Sequence, residues 1–389
     1  MDFAIPEDLK LLRKSVRRFV DEELLPLERE HAQSHDLPDP LRARLQARAK
    51  ELGFWAFDLP PEYGGAGVGV LGTCIVLEEL ARSNVPAFRA PSVLTPWIGP
   101  VLFHCNDEQK KKYLLPVIRG EKRTCFALTE ASGGSDAANM ATRAVKDGAD
   151  WVINGTKIFI THADKADFVQ LFARTEGKGR EGITCFLIDK GTPGLRLGQQ
   201  FDLMSPDRPW ELVIDNVRVS DAQVVGAVGG GWDLAREFLG MGRLVHGPKA
   251  VGRAERALAL AIDWARERKT FGAPLASRQA IQWMIADSAV DIHTARLMIY
   301  HAAWKADRGL PYHYEASMVK LHADEMMLRV VDRAIQIHGG IGLARELPLE
   351  VMYREARSRL ITEGSQEMQR IIIASELLAG RGAIDRCDD

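Results

Sequence analysis

The chain has 389 residues, 46% of them apolar and 27% charged, with a formal net charge of −2. That length supports two or three domains with well-buried cores, and the composition is that of an ordinary globular protein. Lys and Arg are scattered along the chain, so electrostatics give no support for a nucleic-acid partner. No apolar run approaches the roughly 18 residues that a membrane span requires.

The opening MDFAIPEDLK places Asp2 and Pro6 where a signal peptide would be basic and then apolar, so a cytoplasmic protein is expected. The first third reads as helical. Leu12, Val16, Phe19, Val20 and Leu24 recur at steps of three and four, and Pro26 is expected to stop that run. Further helical patterns cover 41–52, 73–82 and 108–118. The period then changes. WVINGTKIFIT (151–161) holds two β-rich runs around Asn154-Gly155, a strong hairpin signal. Strand-like segments follow at 168–174, 183–189 and 211–219. The Gly-rich VGGGW (228–232) marks a break, after which helical periodicity returns at 250–268, 279–308 and 314–338. The expectation is an α+β chain with segregated layers: a helical unit over 1–124, a mostly antiparallel β-unit over 125–226 and a helical bundle over 227–389.

Several local motifs stand out. Gly67, Gly69 and Gly72 fit G-x-G-x-x-G, but no βαβ unit surrounds them, so a turn packing two helices is expected rather than a dinucleotide site. His31 and His35 lie four apart without a third ligand, which reads as a helix end and not a metal site. LTEASGGSD (128–136) offers unshielded backbone N–H groups and the hydroxyls of Thr129 and Ser135, donors that suit a diphosphate or a flavin edge. Arg268 ends a helix, where a cation suits the helix dipole and could also clamp a phosphate. QIHGGIG (336–342) has the glycines of a helix C-cap. ITEGSQEMQR (361–370) sets Glu363 beside Gly364, which lets backbone approach a ligand.

Together PPEYGG, NDEQKKKYL, FALTEASGGSD, GTKIFIT, ERKTFG, QIHGGIG and ITEGSQEMQR resemble, in order and spacing, the motifs of the FAD-dependent acyl-CoA dehydrogenase family. The resemblance covers nearly the whole chain. It implies a helical N-terminal domain, a β-barrel-like middle domain and a C-terminal four-helix bundle. It also implies α,β-dehydrogenation of an acyl-CoA to the trans-2-enoyl-CoA, as in fatty acid metabolism. In that reaction Glu363 takes the α-proton and a hydride goes to flavin N5. Phe126, Leu128, Thr129 and Ser135 match positions that touch the flavin, with Ser135 also near substrate. Phe159, Ile160 and Thr161 match the strand covering the flavin ring. Arg268, Phe271, Gln279, Gln336, Gly339 and Gly340 match contacts to the diphosphate and adenosine, part of them supplied by a neighbouring subunit. Ser365 and Glu367 match two more cofactor contacts. Arg243, Thr362 and Gly364 match the substrate side, and His246 falls on a position that lines the acyl pocket. The expected assembly is a homotetramer built as a dimer of dimers, or a homodimer. The expected electron acceptor is an electron-transfer flavoprotein. No metal is expected.

The sequence departs from the family pattern at Ala131, where proline is usual, at Phe159 for tryptophan and at His162 for asparagine. Some members carry their base at the position of Gly242; here a glycine leaves Glu363 unopposed. His246 suggests a polar or hydroxylated acyl chain, with a hydrogen-bonded bundle histidine as the alternative. A low-dielectric site would raise the Glu363 carboxyl toward working pH. The competing readings are a flavin monooxygenase or an acyl-CoA oxidase on the same fold, and a non-catalytic member.

Overall fold

The computed structural model describes residues 4–86 and 93–382, so Cys387 lies outside the described residues. The chain opens with α1 (Glu7–Phe19), whose Val16 and Phe19 are buried. Pro26 does not end this helical path. A π-type turn (Val20–Leu24) and a 3-10 turn (Leu25–Leu27) carry it into α2 (Glu28–His31), with Pro26 near the start of the 3-10 turn. There a missing N–H costs nothing, because the first N–H groups of a helix lack partners anyway. His35 lies beyond α2; its ring stacks on His162 at 4.7 Å and its Nδ1 accepts from the Arg208 N–H at 3.0 Å.

α3 (Asp39–Glu51) and α4 (Gly69–Leu80) complete the first unit with α5 (Asp107–Gln109) and α6 (Leu115–Ile118), the last two joined by a π-type turn. Val16, Phe19, Leu24, Leu45, Val76 and Leu80 share its core. The glycine-rich segment before α4 does pack helices. A Cβ on Gly72 would press on Val68 and on Leu9 of α1, and one on Gly69 would meet the Asp307 carboxylate at 2.8 Å. That carboxylate accepts from the N–H groups of Val70 at 2.5 Å and Leu71 at 3.0 Å, capping α4 from the far bundle.

The middle unit is an eight-stranded sheet: β1 (Thr124–Ala127), β2 (Arg143–Asp147), β3 (Asp150–Ile160), β4 (Phe168–Arg174), β5 (Ile183–Asp189), β6 (Leu195–Gln200), β7 (Trp210–Ser220) and β8 (Val224–Val225). The order is β6-β7-β3-β2-β4-β5-β8, with β1 parallel to β4 at one side. The hairpin expected at Asn154-Gly155 is absent. The chain turns between Asp147 and Asp150, and β3 runs unbroken through Asn154 and Gly155. Gly155 serves close approach instead: a Cβ there would collide with Thr142, and the pairing to β7 shifts register beside it. Asn154 spends its side chain on accepting from the Asn216 N–H at 2.8 Å.

The last unit holds α7 (Gly231–Glu267), a β9/β10 hairpin (Lys269–Thr270 and Ala273–Pro274), α8 (Gln279–Asp307), α9 (His313–His338), α10 (Leu349–Arg359) and α11 (Gln366–Leu378). α7 starts inside the glycine-rich break and carries Ala250, Ala254, Ala257, Ala261 and Ala265 into the core at helical spacing. Small residues let neighbours approach. A Cβ on Gly252 would strike the Glu78 backbone carbonyl of α4, and one on Gly247 would press on Val319 and Ile299. The thiols of Cys74, Cys105, Cys125 and Cys185 are free and buried. Among the described residues no helix is long and apolar enough to cross a membrane.

Candidate active site

Three pieces of chain converge beside the first turns of α7. The first is β1 and the loop after it. Phe126 stacks on Phe238 of α7 with ring centroids 4.1 Å apart, and Leu128 is buried. The loop is anchored by Lys157, fully buried on β3, whose Nζ donates to the Leu128 carbonyl at 3.0 Å and to Glu130 Oε1 at 2.7 Å. Burial pulls the Lys157 ammonium down to about 8 against the opposing Glu130 carboxylate. Glu130 also accepts from the backbone N–H groups of Ala141 and Thr142, and the Ile158 N–H donates to the Thr129 carbonyl at 2.9 Å. Thr129 is half-buried and Ser135 exposed on this fixed loop.

The second piece is α7 itself. Gly242, Arg243 and His246 follow Phe238 within about two turns. Arg243 is half-buried and its Nε has no hydrogen-bond partner; burial pulls its guanidinium down, opposed by Glu363. The third is the turn between α10 and α11. Glu363 and Gly364 both adopt left-handed backbone, with φ of +54° and +94°. The Gln369 side-chain amide pins the turn by donating to the Gly364 carbonyl at 3.0 Å, and Gln366 donates to the Leu321 carbonyl of α9 at 3.0 Å. Left-handed backbone costs a non-glycine residue on the order of 1–2 kcal/mol, so this turn holds Glu363 against its own preference.

The Glu363 carboxylate lies over α7. A Cβ on Gly242 would collide with Oε2, so the glycine is the space into which the carboxylate fits. His246 Nε2 stands 3.4 Å from Oε2, and its Nδ1 lies 3.0 Å from Asp324 Oδ2 on α9. Asp324, with no exposed surface, also accepts from Lys320 Nζ at 3.2 Å and Arg359 Nε at 3.1 Å. Arg359 donates to the His246 carbonyl at 2.6 Å. Burial pushes the Asp324 carboxyl up, but His246, Arg359 and Lys320 outweigh it and hold it far below the usual range. Glu363 behaves alike: burial raises it, His246 opposes with Lys249 and Arg359 behind, and the result is about 2. The apolar surroundings expected of Glu363 are therefore not what the chain builds. A hydrogen-bonded polar network stands behind it, and sequence reading missed Asp324, Lys320 and Arg359. Lys320 and Asp324 are an i,i+4 pair, a spacing that ordinarily marks an exposed helix face.

The remaining candidates lie elsewhere on this chain. Phe159 has left-handed backbone, is 48% exposed and packs against Phe201, while Ile160 is buried and Thr161 exposed beside it. Arg268 caps the far end of α7, Phe271 is 98% exposed at the hairpin tip, and Gln279 opens α8. Gln336 is exposed near the end of α9, and Gly339 and Gly340 face open space. Ser365 caps α11 and Glu367 sits exposed in its first turn. Arg243 and Arg268 are separated by the length of α7, about 37 Å at 1.5 Å per residue. One extended dinucleotide does not reach both within a single chain.

Family models describe the whole chain: acyl-CoA dehydrogenase N-terminal domain over residues 6–121, middle domain over 125–217 and C-terminal domain over 229–378. The chain is 38% identical to (R)-benzylsuccinyl-CoA dehydrogenase of Thauera aromatica, covering 97% of each chain. It is 37% identical to the human mitochondrial short-chain specific acyl-CoA dehydrogenase, covering 96% of this chain and 91% of that one. Among solved structures, butyryl-CoA dehydrogenase of Megasphaera elsdenii superposes with a TM-score of 0.86 at 32% identity, over 97% of this chain and 100% of that one. A chain described with the electron transferring flavoprotein of Acidaminococcus fermentans gives 0.88 at 34% identity, again over 97% and 100%. The chain belongs to the acyl-CoA dehydrogenase family of oxidoreductases.

Proposed function

We propose that the chain binds FAD and an acyl-CoA thioester and removes the α-proton of the acyl group with Glu363, yielding the trans-2-enoyl-CoA. The observation that carries this is the placement of Glu363: left-handed backbone, a carboxylate seated over Gly242, and part of its surface left open. Strain that positions one ionised group is characteristic of a site that uses it.

The residues present fit FAD. The 128–135 loop is fixed by Lys157 yet keeps Ser135 exposed, Arg268 has no carboxylate partner among its recorded contacts, and Gly339 and Gly340 leave room for a close ligand. Phe126, Leu128, Thr129, Ser135, Phe159, Ile160 and Thr161 would hold the flavin end. Arg268, Phe271, Gln279, Gln336, Gly339 and Gly340 would hold the other end, with Ser365 and Glu367 beside the turn of Glu363. The length of α7 supports a second copy of the chain supplying part of this set, hence a homodimer or homotetramer. When bound, FAD accepts the β-hydride.

The protein's own work is binding, orientation and proton removal. Ser135, Arg243, Thr362 and Gly364 line the acyl thioester. The Glu363 backbone N–H would help stabilise the charge that develops on the thioester oxygen. The carboxylate then takes the α-proton. Displacement of water by the acyl chain raises its basicity at the moment of need. Electrons leave to an electron-transfer flavoprotein. Anaerobic titration of the yellow holoprotein with short, medium, branched, aromatic and hydroxylated acyl-CoA thioesters tests the reading. Rapid bleaching of the flavin band by one class is expected. A flavin that no thioester bleaches would overturn it in favour of a monooxygenase.

A further inference from the structure

We propose that His246, held by Asp324, is a positioning residue that shares and then carries the proton taken by Glu363; this rests on the dehydrogenase reading above. A bundle histidine needs partners only for its own satisfaction. Here the ring is fixed twice over: Nδ1 by Asp324 at 3.0 Å, and the residue's own carbonyl by Arg359 at 2.6 Å. Nε2 is then aimed at the one carboxylate of the turn, 3.4 Å away. Both nitrogens have partners within the protein, so a hydroxyl on the acyl chain would have to displace Glu363 to reach the ring. His246 therefore serves Glu363 before it serves substrate polarity.

Asp324 decides the tautomer. An ionised carboxylate only accepts, so neutral His246 carries its proton on Nδ1 and presents a lone pair at Nε2. The proton steps then balance. The α-C–H bond breaks as an O–H bond forms on Glu363. That O–H bond breaks as an N–H bond forms at Nε2, leaving a carboxylate and an imidazolium. The imidazolium faces Asp324, as in the triad logic of hydrolases. The groups around the ring are Asp324 and Lys320 on α9, Arg359 on α10, Glu363 on the turn, and Arg243 and Lys249 on its own helix. Lys320 and Arg359 offset the two carboxylates, so the extra proton needs no further counter-charge. Moved to Nε2, it can no longer return directly to the α-carbon.

Two groups sharing a proton titrate as a pair. The rate of flavin bleaching in the wild-type holoenzyme, followed by anaerobic stopped flow with butyryl-CoA and (R)-benzylsuccinyl-CoA as probes, is expected to rise in two steps with pH. The first step is the loss of the proton shared at Glu363; the second is the loss of the imidazolium proton, which leaves a stronger base. His246→Asn keeps an Nδ2 donor for Asp324 but cannot take a proton. Its profile should show one rise between the two, its acid limb displaced upward by at least about one pH unit. A role confined to packing would lower the rate at every pH and leave the profile's shape unchanged, and that result would overturn the proposal. His246→Gln is the second variant should the first lose FAD, and a wild-type profile with a single rise refutes the pair without any variant. A wild-type flavin that neither probe nor any other thioester bleaches removes the dehydrogenase reading and this inference with it. Normal bleaching with superimposable profiles removes this inference alone.

Discussion

Lys157→Met tests how the loop proposed to hold the flavin edge is fixed. The lysine is fully buried, and its ammonium is shared between the Leu128 carbonyl at 3.0 Å and Glu130 Oε1 at 2.7 Å. Breaking a buried ion pair from one side costs about 3–5 kcal/mol, because the other charge stays behind. Glu130 keeps its two backbone donors, Ala141 and Thr142, which places the loss near the lower end, about 3 kcal/mol. The orphaned Leu128 carbonyl is part of that sum. The loss should be local. Amide hydrogen exchange over 128–142 should accelerate strongly while the bundle core around Ala254 and Met327 keeps its protection. FAD retained through gel filtration should fall in parallel. Adding Glu130→Gln removes the stranded charge, so the double variant should cost less than the sum of the singles by at least about 1 kcal/mol. Wild-type exchange over 128–142 in Lys157→Met, with full FAD, would refute the reasoning.

Two further outcomes follow from the geometry. Gly242→Ala should leave the fold intact, because the colliding atom is the mobile end of Glu363, yet it should displace the base. The bleaching rate is expected to fall by about 10²-fold, the cost of misplacing a reacting group by about 1 Å, with melting temperature unchanged; an unchanged rate would contradict it. Phe271→Asp puts a charge on an aromatic ring that is 98% exposed in the single chain. Sedimentation should show a smaller assembly that has lost FAD, and an undisturbed assembly would show that this hairpin tip is not covered by a second copy.

Much of this architecture was legible because it rests on local signals. The strands at 168–174 and 183–189 stand where β-rich runs bounded by turn residues placed them. Gly339 has the positive φ of a helix cap, and α9 ends just before it. The error at Asn154-Gly155 is instructive. The dipeptide favours a tight turn, but the pairing of β3 with β7 over eleven residues outweighs a local preference, and the glycine is needed for Thr142. Pro26 misled for a related reason, since a proline at the first turn of a new helical segment interrupts nothing. At the site, Glu363 and His246 were found from the sequence, each by its place in the family pattern. The link between them was not, because Asp324 and Arg359 lie 78 and 113 residues from His246 and meet it only through helix packing. A buried charge network has no periodic signature; its members look like surface residues until the fold closes over them.

The central claim is that Glu363 is the base. The most direct measurement is anaerobic stopped-flow bleaching of FAD-loaded Glu363→Gln by whichever thioester reduces the wild type fastest. A glutamine keeps the shape and cannot accept the proton, so the rate should fall by about 10²–10⁴-fold while flavin content and thioester binding persist. Bleaching at the wild-type rate would contradict the account and place the base elsewhere.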